Sequence, residues 1–126
     1  MIFRKSMMFL CLLTLAAALG AASEKRWQQV PASDHARPNP FIGQPEAVAA
    51  GAIAYREHCQ QCHKQNAQGD GHKRPALRSE RLRAASDGDI EWFLRQGDLR
   101  RGMPSWSSLP LQQRWQLVAY LRSIQK

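Results

Sequence analysis

The sequence predicts an all-α domain of three to five short helices. Three observations carry that prediction. Apolar residues recur at helical spacing in several separate stretches, no stretch alternates as a strand would, and the stretches are bounded by proline, glycine and capping residues.

The first segment stands outside that domain. Arg4 and Lys5 form a basic start, Met7 to Leu19 is almost wholly apolar, and small residues follow at Gly20, Ala21, Ala22 and Ser23. This order describes a secretory signal peptide over residues 1–22. The apolar run, ~13 residues, is short of the ~20 that span a bilayer, which argues against an uncleaved anchor. Residues 23–44 read as an extended arm, because Pro31, Pro38 and Pro40 interrupt any helix and no apolar period is visible. Trp27, Val30, Phe41 and Ile42 are spaced along it and are able to dock on a domain surface.

The domain proper is expected over residues 45–126. Pro45 to His58 has proline in its first turn, Glu46 near the N-terminus and an alanine-rich body, with Val48, Ala52 and Tyr55 expected on one face. A loop from Lys64 to Pro75 carries Gly69-Asp70-Gly71, and Arg78 to Ala85 reads as a short, very basic helical turn. Ser86 is the expected N-cap of a helix ending at Gln96, with Asp89 three residues on and Gly97 as its stop; Ile90, Phe93 and Leu94 form its apolar face. A last helix is expected from Pro110 to about Ile124, packing through Leu117, Val118, Tyr120, Leu121 and Ile124.

Charge and cysteine usage narrow the function. The chain carries 18 Lys and Arg against 10 Asp and Glu; loss of Arg4 and Lys5 with the leader leaves 16 against 10, a net +6. That excess points to acidic partners rather than nucleic acid, which an exported protein rarely meets. Without the leader, Cys59 and Cys62 are the only cysteines and Met103 the only methionine. A core of about 80 residues rarely supplies more than ~3–5 kcal/mol and usually needs a staple. A bridge between cysteines this close together would restrain little of the unfolded chain. Something else has to fill the middle.

Cys59-Gln60-Gln61-Cys62-His63 is a C-x-x-C-H sequence, which reads as covalent attachment of haem c. Each thiol adds across one vinyl group, the two-residue spacing lets both sulfurs reach from one helical turn, and the next residue offers its imidazole to the iron. A thioredoxin-type pair would need βαβ context that is missing here. A zinc site would have to combine Cys59, Cys62 and His63 with His58 or His72, and His58 abuts Cys59. His35 and His58 are expected to face solvent. For the opposite side of the iron, Met103 in Arg101-Gly102-Met103-Pro104 is the candidate, 40 residues after His63. A thioether favours Fe(II) and so raises the potential of the couple. His72 is the competing ligand, and plain core packing is the other reading of Met103. Phe93 and Trp106 suit the walls of a haem site, and Trp115 suits the space between helices.

Taken together, Cys59-x-x-Cys62-His63, the Met103-Pro104 loop and the pairing of the first and last helices make residues 45–126 resemble class I c-type cytochromes, the small monohaem family with His/Met ligation. The resemblance implies a cytochrome c fold, with the short helices wrapped around one covalent haem. It implies that Gly51 and Tyr55 pack toward Leu117 and Tyr120, and that the carbonyl of Pro75 accepts a hydrogen bond from the ligating imidazole, so that Cys59, Cys62, His63, Pro75 and Met103 hold the cofactor and His63 and Met103 hold its iron. The chain departs from many relatives in having Lys64 rather than glycine after the motif histidine, and Arg74 rather than glycine before the proline.

An iron with both axial positions filled by protein has electron transfer left to it. The expectation is therefore an exported, periplasmic electron carrier and not an enzyme. It would pass single electrons between a dehydrogenase-type donor and a downstream acceptor, an oxidase or other redox protein of acidic surface, with no membrane span after cleavage. The alternatives are a peroxidase-like haem enzyme or a gas-binding sensor in which Met103 detaches.

Overall fold

A computed structural model describes residues 24–126; the expected signal peptide over residues 1–22 lies outside the described residues. Residues 31–126 form one compact unit, and residues 24–30 belong to a separate one. In the latter, residues 24–27 are helical and the Arg26 guanidinium donates to the Gln29 side-chain oxygen at 2.8 Å.

The compact unit is built from helices in the order α1 (Ala32–His35), α2 (Pro45–His58), α3 (Gln60–His63), α4 (Glu80–Ala84), α5 (Asp87–Gln96), a 3-10 turn (Leu99–Arg101) and α6 (Leu111–Ser123). Among the described residues there is no strand beyond an isolated antiparallel bridge between Asp98 and Met103. The domain is all-α, as the sequence predicts.

Its main helix pair is α2 against α6. The buried face of α2 is Ala47, Gly51, Ala54 and Tyr55, with Val48 and Ala52 only half-buried, so the seam lies to one side of the expected one. The reason is Gly51. A Cβ there would lie 2.0 Å from the backbone oxygen of Gln116, so the backbones touch where glycine stands and the crossing point fixes the face. One turn on, the Tyr55 and Tyr120 rings meet at 5.2 Å. From α6, Leu117, Val118 and Leu121 fill the core, and Trp115 is buried beside them. Burial of this kind contributes roughly 1.5–3 kcal/mol for each large apolar side chain.

Helix α5 starts on a complete capping box. The Ser86 hydroxyl accepts from the Asp89 N–H at 3.0 Å, and the Asp89 carboxylate accepts from the Ser86 N–H at 2.8 Å. Two of the helix's orphan donors are thereby satisfied. Ile90, Trp92 and Leu94 are buried, and Phe93 is half-buried. Gly97 ends the helix with φ +66.

Residues 31–44 differ from the extended arm the sequence suggests. They carry α1 and a turn at 40–43 and belong to the same compact unit as the helices. Polar pairing, which has no sequence period, holds them there. Asn39, 5% exposed, donates from Nδ2 to the carbonyl of Trp115 at 3.0 Å and accepts from the Phe41 N–H at 2.9 Å. No helix among the described residues is long and apolar enough to cross a membrane.

Candidate functional site

Helix α2 ends at His58, and Cys59 leads straight into α3, a single turn. The N–H groups of Cys62 and His63 both donate to the Cys59 carbonyl, at 3.1 and 2.9 Å. Cys59 and Cys62 therefore share one turn, and neither is in a disulfide. Cys59 is buried and Cys62 half-buried. Burial, and next the neighbouring Cys62, push the Cys59 thiol up to about 12, so it stays a neutral thiol at ordinary pH.

His63 is buried, and its Nδ1 lies 2.9 Å from the carbonyl oxygen of Pro75. A carbonyl only accepts, so Nδ1 carries the proton and Nε2 keeps its lone pair free for a metal. Burial lowers the pKa of the ring below the ordinary 6.5; the bond to Pro75 works the other way, and Arg74 lowers it further. The ring is thus neutral, oriented and of the right tautomer to bind iron through Nε2.

The loop from Lys64 to Pro75 is pinned at several points. The Tyr55 hydroxyl donates to the Lys64 carbonyl at 2.6 Å. Ala67, fully buried, accepts the Leu77 N–H at 2.7 Å, and Gly69 N–H returns to the His63 carbonyl at 3.0 Å. Asp70 accepts from the N–H groups of His72 and Arg74 at 2.8 and 3.1 Å. These bonds place the Pro75 carbonyl under the His63 ring.

Met103 sits on a second loop. Its backbone exchanges both hydrogen bonds with Asp98, at 2.9 and 3.0 Å, and it is half-buried. Further along, Trp106 N–H donates to the Leu94 carbonyl at 2.8 Å, and the Trp106 ring tilts against His58 at 5.0 Å. The loop carrying Met103 therefore comes back over the end of α2, beside Cys59.

One expectation for the histidines needs correction and one holds. His58 does not simply face solvent; Trp106 covers part of it. His35 is largely exposed, yet its Nδ1 donates to Asp89 at 2.8 Å. His72 is exposed, and among the described residues no three His, Cys, Asp or Glu side chains gather as an ion-binding group.

Sequence reasoning missed Tyr55 as the support of Lys64, and it missed Glu91. Glu91 is fully buried on α5 and paired with Arg114 at 2.7 Å, Arg37 at 3.1 Å and Arg95 at 3.5 Å. Nothing in a helical hydrophobic pattern signals a buried carboxylate.

Two thiols on one turn, followed by a buried imidazole with a fixed tautomer, fit a covalently held haem. The comparisons agree. The family model for cytochrome C oxidase, cbb3-type, subunit III matches residues 46–121. No curated protein matches the chain. The matched span covers both main helices, the attachment motif and the Met103 loop, and it is well over half the chain. The chain therefore belongs to this c-type cytochrome family, a family of haem c electron carriers.

Proposed function

We propose that the chain is an exported, periplasmic carrier of single electrons, in which Cys59 and Cys62 attach haem c, His63 and Met103 hold its iron, and Pro75 orients His63. The observation that carries this reading is the His63 ring, buried and tied by Nδ1 to the Pro75 carbonyl at 2.9 Å. That bond spares Nε2 for the iron and sets the ring plane. Support for Met103 comes from its place on a tethered loop whose Trp106 leans on His58, next to the attachment motif.

Bound haem iron supplies a one-electron couple, Fe(III)/Fe(II). The protein's part is to keep both ligands in place in either state, so that little rearrangement accompanies the electron. His63 is braced through Pro75, and Met103 through Asp98. A thioether on the open side favours the reduced form and raises the potential. Donor and acceptor are a dehydrogenase-type protein and a downstream acceptor, and the basic net charge suits acidic surfaces on both.

Absorption spectra and carbon monoxide binding test the reading. The expected result is a six-coordinate, low-spin centre in both oxidation states, with no rapid carbon monoxide binding by the reduced form. Met103→Ala should open the reduced iron to carbon monoxide at once. A wild-type protein that is high-spin when reduced and binds carbon monoxide immediately would overturn the carrier and favour a sensor or peroxidase-like enzyme.

A further inference from the structure

The segment Pro31–Phe41 lies ahead of the span the family model matches, yet it is seated on the domain by a dense set of polar contacts. Gly88 on α5 lets it approach: a Cβ there would lie 1.8 Å from the Asp34 carbonyl oxygen. The Ser86 hydroxyl donates to the His35 carbonyl at 2.8 Å, and Arg95 reaches Asp34 at 2.5 Å. Arg37 donates to Glu91 at 3.1 Å and lies over the Trp115 ring at 5.1 Å.

Glu91 is the joint between this segment and the Met103 loop. Its other oxygen accepts from Arg114 Nε at 2.7 Å. Arg114 in turn donates from Nη1 to the carbonyls of Leu109, at 2.5 Å, and Ser107, at 3.4 Å, which end that loop. A second line runs through Arg95, whose own carbonyl accepts the Ser105 hydroxyl at 2.6 Å. Charge-assisted contacts that converge on one fully buried carboxylate hold geometry tightly, because each loss leaves that charge less fully compensated.

We infer that residues 31–41 are a strap that fixes the Met103 loop, with Arg37 and Glu91 as positioning residues. The inference rests on the proposal that Met103 holds the iron. The strap biases the loop toward the arrangement in which Met103 stays in place. Loosening it raises the population in which an outside ligand can replace the sulfur.

Imidazole binding to the oxidised, haem-loaded full chain tests this, together with the sulfur-to-iron charge-transfer absorption and amide hydrogen exchange at Met103 and Trp106. The strap variant is Asp34→Asn with Arg37→Gln, or Arg37→Gln alone if the pair fails to load haem. The control is Arg122→Gln, which removes contacts of the same kind that include none of Arg37, Glu91 or the Met103 loop: Arg122 binds Asp87 and the carbonyls of Leu82 and Ala85. The strap variant should bind imidazole about tenfold more tightly, the gain expected from an equal rise in the open population. Its two amides should exchange faster, and Arg37→Lys should recover part of the effect. Arg122→Gln, compared at equal loss of thermal stability, should shift imidazole affinity by less than about twofold. Equal shifts in strap variant and control, or none in the strap variant, would overturn the inference. Met103→Ala separates the two levels. If it removes the charge-transfer absorption while the strap variants change nothing, only the strap fails. If it changes neither the absorption nor imidazole binding, the ligand assignment fails, and the strap inference with it.

Discussion

The Tyr55 hydroxyl holds the carbonyl of Lys64 at 2.6 Å, across the point where the chain leaves the attachment motif. Lys64 stands there at φ 69, ψ 163, a region that residues with a side chain rarely adopt. Burial, chiefly, and the neighbouring Cys59 and Tyr120 raise the Tyr55 pKa, so the hydroxyl remains a donor at any working pH. The family resemblance implies glycine at this position in many relatives. This chain has a side chain there and braces it with a tyrosine.

Replacing Lys64 by glycine should therefore stabilise the haem-loaded protein. Strain of this kind costs about 1–3 kcal/mol. Glycine loses about 0.5–1 kcal/mol through its greater freedom in the unfolded chain. The net gain should be about 1 kcal/mol, read as a higher urea midpoint at unchanged slope. Tyr55→Phe should cost about 1–3 kcal/mol, since it leaves the Lys64 carbonyl without its donor. A less stable Lys64→Gly protein would show that the lysine is not strained.

The crossing of α2 and α6 gives the second prediction. Gly51→Ala would put a methyl 2.0 Å from the Gln116 backbone oxygen and 2.8 Å from Tyr120 Cβ. Neither neighbour is the free end of a flexible side chain, so the helices must separate. The loss should reach at least the upper part of the overpacking range, about 3 kcal/mol. Ala49→Ser on the exposed face of α2 should stay within about 0.5 kcal/mol of wild type. Denaturant unfolding of both variants checks the difference.

How much of this was legible in the sequence follows from the kind of interaction involved. Pro45, the Ser86-Asp89 pair, Gly97 and Pro110 mark helix ends by local chemistry, and the helices begin and end within a residue or so of those marks. The attachment motif is equally local. The link from His63 to Pro75 spans 12 residues and came through family resemblance rather than pattern. Residues 31–44 read as an extended arm because Asp34, His35, Arg37 and Asn39 are polar and aperiodic. Their partners Asp89, Glu91, Arg95 and Trp115 lie more than 50 residues away. A buried ion pair leaves no periodic trace. The strain at Lys64 was hidden for a related reason: glycine is the usual marker of such backbone, and it is missing here.

Acid should release the loop under His63 only at unusually low pH. The N–H groups of His72 and Arg74 hold the Asp70 carboxylate below the ordinary 3.8. A carboxyl with a lowered folded value supports the loop fully above its unfolded value and loses that support as pH falls through the folded one. The amide shifts of His72 and Arg74, followed by NMR in the haem-loaded reduced protein, should therefore titrate with a midpoint below 3.8. Asp70→Asn keeps an acceptor oxygen that does not titrate, and should flatten the curve. A midpoint above 3.8 in the wild type would mean that the carboxylate is free of these bonds in solution.

The last prediction concerns how a partner finds the protein. Arg100 and Arg101 are exposed in the turn that leads to Met103, and neither forms an ion pair among the described residues. Leu99 beside them is 78% exposed, the most exposed large apolar side chain among the described residues. Lys64, Lys73 and Arg74 are exposed on the loop under His63. Each set adjoins one proposed ligand of the iron. Transient electron-transfer partners gain more from steering than from affinity, and unpaired charge around an apolar spot supplies steering. Electron transfer to an acidic partner should slow as salt rises, because the Debye length shrinks from ~30 Å at 0.01 M to ~8 Å at 0.15 M. Arg100→Gln with Arg101→Gln should lower the association rate and flatten that dependence. Arg122 cannot serve as the comparison, since it is tied to Asp87 and to backbone carbonyls. Arg83 and Lys126, both exposed and outside the two loops, can. Changing these two to glutamine removes the same net charge and should affect the rate much less. Equal effects in stopped-flow measurements across the salt series would show that net charge alone steers the partner, and that these loops are not where it docks.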